Sequence, residues 1–414
     1  MKTVLFAVSA LLFGVLLLML GSGLQGTLIG IRGAIESFSR IEIGLMMSAY
    51  YGGFATACLF GGRIIERVGH IRTFAAFASI ASAAAIVHAA IVDPYSWIVL
   101  RALTGACFAG LYMVIESWLN GQVSNERRGT IMAVYMIVNL GGIAAAQQLL
   151  LLADPGGFEL FILSSVLVSL AVVPVALTTS VAPSPIPTER MKLGDLYAVS
   201  PLGFVGALCI GLITGATWGL APLAAVNFGF STSSVALLMS LIVLGGVAFQ
   251  WPTGWISDRT DRRGVIAAST AVLALTCLGL YLAASPDTNL AIFFAISFVF
   301  GGMGFVIYPL CSAHLNDRIT DDDRVSASAA LLLVLGVGAA VGPLLGAFAM
   351  RYLGDAGLFV FMGLIGLGFL GFVMARMREN PPVPSAEQSR FEPVIPAPTS
   401  AMLDPRVEPG PADP

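Results

Sequence analysis

The chain has 414 residues, 57% of them hydrophobic and 11% charged, with a formal net charge of −3. Soluble domains carry about 25% charged residues, so this composition excludes an ordinary water-solvated globule. The near-neutral balance offers nucleic acid no basic surface. Five cysteines (Cys58, Cys107, Cys209, Cys277, Cys311) sit singly in apolar runs, which fits neither a disulfide framework nor a metal site.

Apolar segments of the roughly 20 residues that cross a bilayer as helix succeed one another along the chain. The first, 4–31, is far longer than the core of a secretory signal and is closed by no small-x-small cleavage site, so it reads as a retained span. It is followed by 43–63, 73–92, 96–120, 130–152 and 158–181. A polar stretch from Ala182 to Ser200, with Pro183, Pro185 and Pro187, interrupts the series. Six more segments come next: 201–226, 233–257, 264–284, 290–314, 325–350 and 357–378. The expected fold class is an all-α membrane protein, with twelve transmembrane helices in two pseudo-symmetric six-helix bundles. The N-terminal bundle is 1–181, the linker 182–200 and the C-terminal bundle 201–378. The remainder, 379–414, is rich in proline, serine and acids and predicts a disordered tail.

Twelve spans put both termini on one side. That side carries 17 of the 21 lysines and arginines, against Arg32, Arg40 and Arg351 opposite and Arg101 within a span. Cytoplasmic loops are enriched in these cations, so the termini and linker are expected in the cytoplasm.

Two charged turns lie 192 residues apart: Gly62-Arg-Ile-Ile-Glu66-Arg67-Val-Gly69 with Arg72, and Gly254-Trp-Ile-Ser-Asp258-Arg259-Thr-Asp261. Each joins the second and third spans of its half. Glycine admits a close helix neighbour, while the acid and arginine can pair into a latch that breaks as the bundle rocks. A cluster that merely holds the loop in the cytoplasm is the plainer alternative. Further matches, Gly110…Asn120…Glu126-Arg127 with Gly304…Asn316…Asp323-Arg324, extend the duplication. In duplicated bundles of this kind the solute site lies where the halves meet.

The first turn resembles the loop 2–3 signature of the major facilitator superfamily, with Glu66 where that family usually has Asp. Arg101-Ala-Leu-Thr-Gly105 resembles its fourth-helix arginine motif. Gly338-Ala-Ala-Val-Gly342-Pro343-x-x-x-Gly346 in span 11 is similar to the Gly-Pro signature of the span 5 of its antiporters, which span 5 here lacks. Val114-Ile-Glu116-Ser117, Gln250-Trp251-Pro252-x-Gly254, Tyr308-Pro309 and Ala330-Leu-Leu-Leu resemble the YcaD-like bacterial branch. The resemblance implies a secondary transporter of the bacterial inner membrane that moves a small solute by alternating access, driven by a proton gradient or by the solute's own gradient.

Several residues are candidates for its working parts. Arg101, about six residues into span 4, carries a costly intramembrane charge and would either hold an anionic solute or tune a proton site; the alternative is a side chain that snorkels to water. Glu116, the one carboxylate deep in a predicted span, is a candidate proton carrier or a partner for the loop 2–3 arginines. Gln25, Tyr50, Tyr51, Asn139, Gln147, Thr217, Trp218, Gln250, Trp251 and Tyr308 suit a polar or amphipathic ligand, or helix–helix bonding. The gating candidates are Gly62, Glu66, Arg67, Gly69, Arg72, Gly254, Asp258 and Arg259. His88 reads as structural, and Met132 and Met136 as packing. The scarcity of buried charge argues against strongly charged ligands. No nucleophile with its base, no phosphate loop and no zinc spacing is present, so neither an enzyme nor ATP-driven transport is expected. The expected partners are a small-molecule solute, protons and the bilayer, with no cofactor and no nucleic acid, for a monomeric chain. The rival reading is a non-transporting membrane sensor or assembly factor on the same fold.

Overall fold

A computed structural model describes residues 2–122, 125–177, 191–284, 289–320, 323–379, 384 and 388–391. The side chains of Asn120, Glu126, Arg127 and Met132, named above, lie outside the described ones, as does that of the neighbouring Arg128. Among the described residues, twelve helices are long and apolar enough to cross a membrane.

The N-terminal half contains α1 (Lys2–Ile35), α2 (Arg40–Val68), α3 (His70–Ala90), α4 (Pro94–Gln122) and α5 (Asn125–Gln148), which runs on into a 3-10 turn, Leu149–Leu152. The sixth span is broken into α6 (Glu159–Leu170) and α7 (Val172–Ala176), with Pro174 in the first turns of the second piece, a place where its missing N–H costs nothing. Within the predicted linker a short helix, α8 (Leu193–Val199), buries Leu196 against the second half. The C-terminal half contains α9 (Pro201–Asn227), α10 (Thr232–Ser257), α11 (Arg262–Leu282), α12 (Leu290–Asn316), α13 (Arg324–Leu353) and α14 (Gly357–Glu379). Polar residues stop these helices from fraying. Ser39 and Glu42 form a reciprocal capping box on α2, and Ser231, Asp261 and Asn289 cap α10, α11 and α12.

The halves repeat one packing scheme. In the first, α2 lies on α4, α1 on α5, and α3 on α6; in the second, α10 lies on α12, α9 on α13, and α11 on α14. The tightest crossings match as well. A Cβ at Gly53 or Gly105 would overlap the carbonyl of Ala102 or Tyr50, and one at Gly245 or Gly301 would overlap that of Phe298 or Ile242. Close backbone approach through small residues is how helices pack where no hydrophobic effect drives them together. Between halves, α1 meets α9, α2 meets α13 and α5 meets α10. Exchanging the halves maps the last two contacts onto each other, as a pseudo-twofold axis requires.

Among the described residues, a group of close contacts joins the halves at one end of the bundle. There Arg40 makes a two-pronged pair with Asp355, at 2.8 Å from Nε to Oδ1 and 2.9 Å from Nη2 to Oδ2, and Asn227 donates to the same carboxylate at 2.8 Å. Gly44 of α2 abuts Ala347 and Pro343 of α13, Gly30 abuts Pro222, and Gly219 abuts Met47. Gln148 donates to Ser240, which itself donates to the carbonyl of Ala144. Further toward the Gly62 end, a Cβ at Gly336 of α13 would still meet Ala55 of α2 at 3.8 Å, and one at Gly62 would meet nothing within 4 Å.

Four residues of the predicted disordered tail do not hang free. Gln388–Phe391 lie against the C-terminal half, where Ser389 bonds Asp317 at 2.7 and 2.8 Å through Oγ and N. Arg262 donates to the Ser389 carbonyl at 2.6 Å, and the Phe391 N–H donates to Asp258 at 2.7 Å. The Phe391 ring packs on Gly254. Burial of one aromatic ring and satisfaction of a buried charge cluster hold what tail composition alone would leave loose.

Candidate functional site

The seam between the halves encloses a cavity of about 290 Å³. Its walls come from α1 (Gln25), α2 (Tyr50, Tyr51, Phe54), α4 (Arg101, Phe108, Tyr112) and α5 (Asn139) on one side. On the other they come from α9 (Trp218), α10 (Gln250), α12 (Phe305, Tyr308) and α13 (Leu332, Gly336). Helical spacing explains the convergence. Arg101, Phe108 and Tyr112 are 7 and 11 residues apart on α4, hence on one face, and Met47, Tyr50 and Phe54 stack likewise on α2. The lining reaches Cys58 and Ala329, on the Gly62 side of the Ala55–Gly336 contact, while the Arg40 end is bridged by Asp355 and Asn227.

Arg101 is only 4% exposed. Its guanidinium lies 4.2 Å from the centre of the Tyr50 ring and donates from Nη2 to the Met47 sulfur at 3.6 Å. It therefore does not snorkel; it faces the interior. Tyr50 packs edge-on to Tyr51 at 5.3 Å, Phe54 contacts Tyr112 at 6.1 Å, and Trp218 contacts Phe305 at 6.5 Å, so aromatic rings from both halves line the space.

Of the eleven residues expected at a cavity, the structure brings together Gln25, Tyr50, Tyr51, Arg101, Asn139, Trp218, Gln250 and Tyr308. Three lie elsewhere. Trp251 is 75% exposed, turned outward because it follows Gln250 by one residue, about 100° round the helix. Gln147 accepts from Thr27 at 2.6 Å and donates to the Ile143 carbonyl, fastening α5 to α1. Thr217 back-bonds to the Ile213 carbonyl at 2.7 Å and turns toward Met362 of α14. Phe54, Phe108, Tyr112 and Phe305 line the cavity as well; Phe54 follows Tyr50 by four residues, Phe108 and Tyr112 follow Arg101 by seven and eleven, and Phe305 precedes Tyr308 by three, so each shares a helix face with a residue expected there.

Glu116 is buried at 1% exposure and accepts from the Tyr135 hydroxyl at 3.2 Å. It lies below the cavity on α4. His88 donates from Nδ1 to the Ala84 carbonyl at 2.6 Å, and its ring packs against Trp97 and Phe161. That is a structural histidine, as expected.

The two charged turns differ in state. Gly69 adopts a φ of 90°, a left-handed conformation that its lack of a side chain permits, and its N–H closes α2 on the Ile65 carbonyl. Glu66, Arg67 and Arg72 are exposed, and among the described residues they take no hydrogen-bond or ion-pair partner. Nothing approaches Gly62 within 4 Å. In the second copy, Arg262 pairs with Asp258 at 3.5 Å and with Asp317 at 3.4 Å, Arg259 lies over the Trp255 ring at 4.2 Å, and Gly254 is covered by Phe391. Asp261 caps α11 and clasps Arg263 at 2.9 Å. Burial opposes ionisation of Asp261, but the bonds from Arg263 outweigh it and hold the carboxyl below the usual range.

The family model for the Major Facilitator Superfamily matches residues 11–202 and again 203–408. An uncharacterised MFS-type transporter of Enterobacter sp. (strain 638) is 27% identical over 383 residues, covering 92% of this chain and 98% of that protein. The uncharacterised transporter YcaD of Escherichia fergusonii is 26% identical over 381 residues, covering 90% and 97%. Among solved structures, a mutant of the nucleoside transporter NupG superposes with a TM-score of 0.78 at 12% identity, covering 90% of this chain and 100% of that one. A bacterial homologue of the human lysosomal transporter Spinster, described as inward-facing and occupied, gives 0.73 at 13% identity, covering 95% and 99%. At such identities the solved structures establish the fold.

Proposed function

The chain belongs to the major facilitator superfamily, and on that premise we propose that it carries a small organic solute across a bacterial inner membrane by alternating access coupled to protons. One observation supports this most: the seam between the duplicated halves, bridged at the Arg40 end, holds a cavity walled by polar and aromatic side chains from both. A seam packed solid with aliphatic residues would have suited a sensor or a scaffold instead.

In this reading the termini and the charged turns are cytoplasmic, the Arg40–Asp355 end faces outward, and the conformation is inward-open. Rocking the halves opens the Arg40 end and closes the Gly62 end. Closure would bring Glu66 and Arg67, now exposed, against the second half, where Gly254, Asp258 and Arg259 stand at the matching place. Glu116 is the proton carrier in this proposal. It is buried with a hydroxyl partner near the inner end of α4, where protonation removes a costly intramembrane charge.

The test is transport by purified protein in proteoliposomes under an imposed pH gradient. Glu116→Gln should abolish gradient-driven uptake while leaving exchange of solute; wild-type-like driven uptake in E116Q would remove its proton role. Arg67→Ala or Asp258→Ala should slow turnover without changing solute affinity. An unchanged rate in both would dispose of the latch.

A further inference from the structure

We propose that the solute is a small amphipathic monoanion, a carboxylate on a flat apolar body, and that Arg101 supplies its counter-charge. The inference rests on the carrier reading above and names the chemistry of the same cavity.

The argument begins with an unbalanced charge. Arg101 is the one charged side chain lining the cavity among the described residues, and no acid there pairs with it. A guanidinium has five N–H donors and no acceptor. Here one is aimed at a thioether, a weak acceptor, and Nε, buried, has no partner. A ring face and a sulfur do not replace the hydration that a buried cation gives up, and buried charges elsewhere are matched by an opposite charge. Arg101 is held in place without that match. The planar fork it presents fits a carboxylate with two parallel bonds, which a lysine could not do.

The neighbouring polar groups extend the pattern. The Gln25 amide nitrogen is buried on the cavity wall with no partner, and the buried Asn139 amide lies there beside the Tyr112 and Tyr135 hydroxyls. Arg101 and Gln25, from two helices, thus hold unsatisfied donors at one cavity, the condition expected of a site that a ligand completes. A single cation argues for one negative charge; a phosphate dianion would leave a charge unpaired in a low-dielectric space. The remaining wall is aromatic, with Tyr50, Tyr51 and Tyr112 facing Trp218 and Phe305, so the body that carries the charge is flat and apolar. About 290 Å³ limits that body to roughly one or two rings.

Benzoate and 2-naphthoate are suitable probes, with 2-naphthamide as the neutral isostere and 2-naphthylmethylammonium as the cation. Binding to the full-length protein in detergent is measured by isothermal titration and thermal shift. The carboxylates should bind at least tenfold more tightly than the amide, and the cation should not bind. Arg101→Gln should reduce the preference for carboxylate over amide to under threefold while keeping amide affinity. Because R101Q removes an uncompensated buried charge, it should melt no lower than wild type, so loss of binding is not loss of fold. Arg101→Lys should keep part of the preference.

Equal affinity for amide and carboxylate in the wild type, or an undiminished preference in R101Q, would overturn the proposal. Neutral or cationic probes that bind and are transported would overturn the anion while leaving the carrier intact. If transport fails for every probe yet R101Q alone loses carboxylate binding, the ligand chemistry stands and the carrier reading falls.

Discussion

A methyl group at position 105 would occupy the carbonyl oxygen of Tyr50, whereas the same group at position 62 would meet nothing within 4 Å. Two glycines that look alike in sequence therefore do different work. Gly105→Ala should force α2 and α4 apart and cost about 1–3 kcal/mol, read as a lower melting temperature in detergent. Gly62→Ala should leave the melt unchanged or raise it by the equivalent of about 0.5–1 kcal/mol, since alanine stiffens an exposed helix. If Gly62 serves close approach in the opposite state, the same variant should nonetheless slow transport. Arg101 makes a related point. Its position in span 4 was visible in the sequence, but that it faces aromatic rings and no carboxylate depended on which helices surround it.

At the scale of elements, the contact of α2 with α13 is, in the proposed cycle, the joint that decides which way the cavity opens. Asp355, outside the spans, is opposed by burial, but the bonds from Arg40 and Asn227 outweigh it and depress its pKa below the ordinary 3.8. A depressed carboxylate stabilises the state that holds it ionised at any pH above that ordinary value, and the contribution is lost as pH falls through the lowered one. Closure of the Arg40 end should thus be flat across neutral pH and weaken only below about pH 4. Asp355→Asn should mimic that loss at pH 7. Labelling of Gln25→Cys by an impermeant maleimide from the outer face, in a background without the five native cysteines, should then quicken severalfold; an unchanged rate would show that the pair does not hold the gate. The docked tail is a second joint. Deleting residues from Gln388 onward exposes Gly254 and the Asp258–Arg262–Asp317 cluster, and the melting temperature should fall by the equivalent of about 1 kcal/mol.

Over the whole molecule, two copies of one packing scheme share a seam, and alternating access needs only that the seam hinge. A Cβ at Gly44 would stand 2.6 Å from the Ala347 Cβ across it, so a disulfide between these positions, which sets its Cβ atoms about 3.5–4.5 Å apart, needs only a slight parting of α2 from α13. Oxidation of a Gly44→Cys, Ala347→Cys pair should abolish transport, reversibly by reductant, while solute still binds from the open side. Continued transport by the cross-linked protein would show that the halves do not move as units.

The number of spans, the duplication and the polar residues near mid-membrane were legible in the chain, because the bilayer demands about 20 apolar residues per crossing and makes any polar one expensive. What lines the cavity was only partly legible. Tyr50, Arg101 and Asn139 turn into it, while Trp251, Gln147 and Thr217 turn away, since an apolar helix in lipid lacks the hydrophobic stripe that marks an inward face in water. The capture of Phe391 by Gly254 joins positions more than a hundred residues apart, and the bridged Arg40 end does the same. Local propensity carries no record of such meetings. The chain alone determined that two six-helix units cross a membrane; their packing decided where the unpaired arginine points and which end of the seam is bridged.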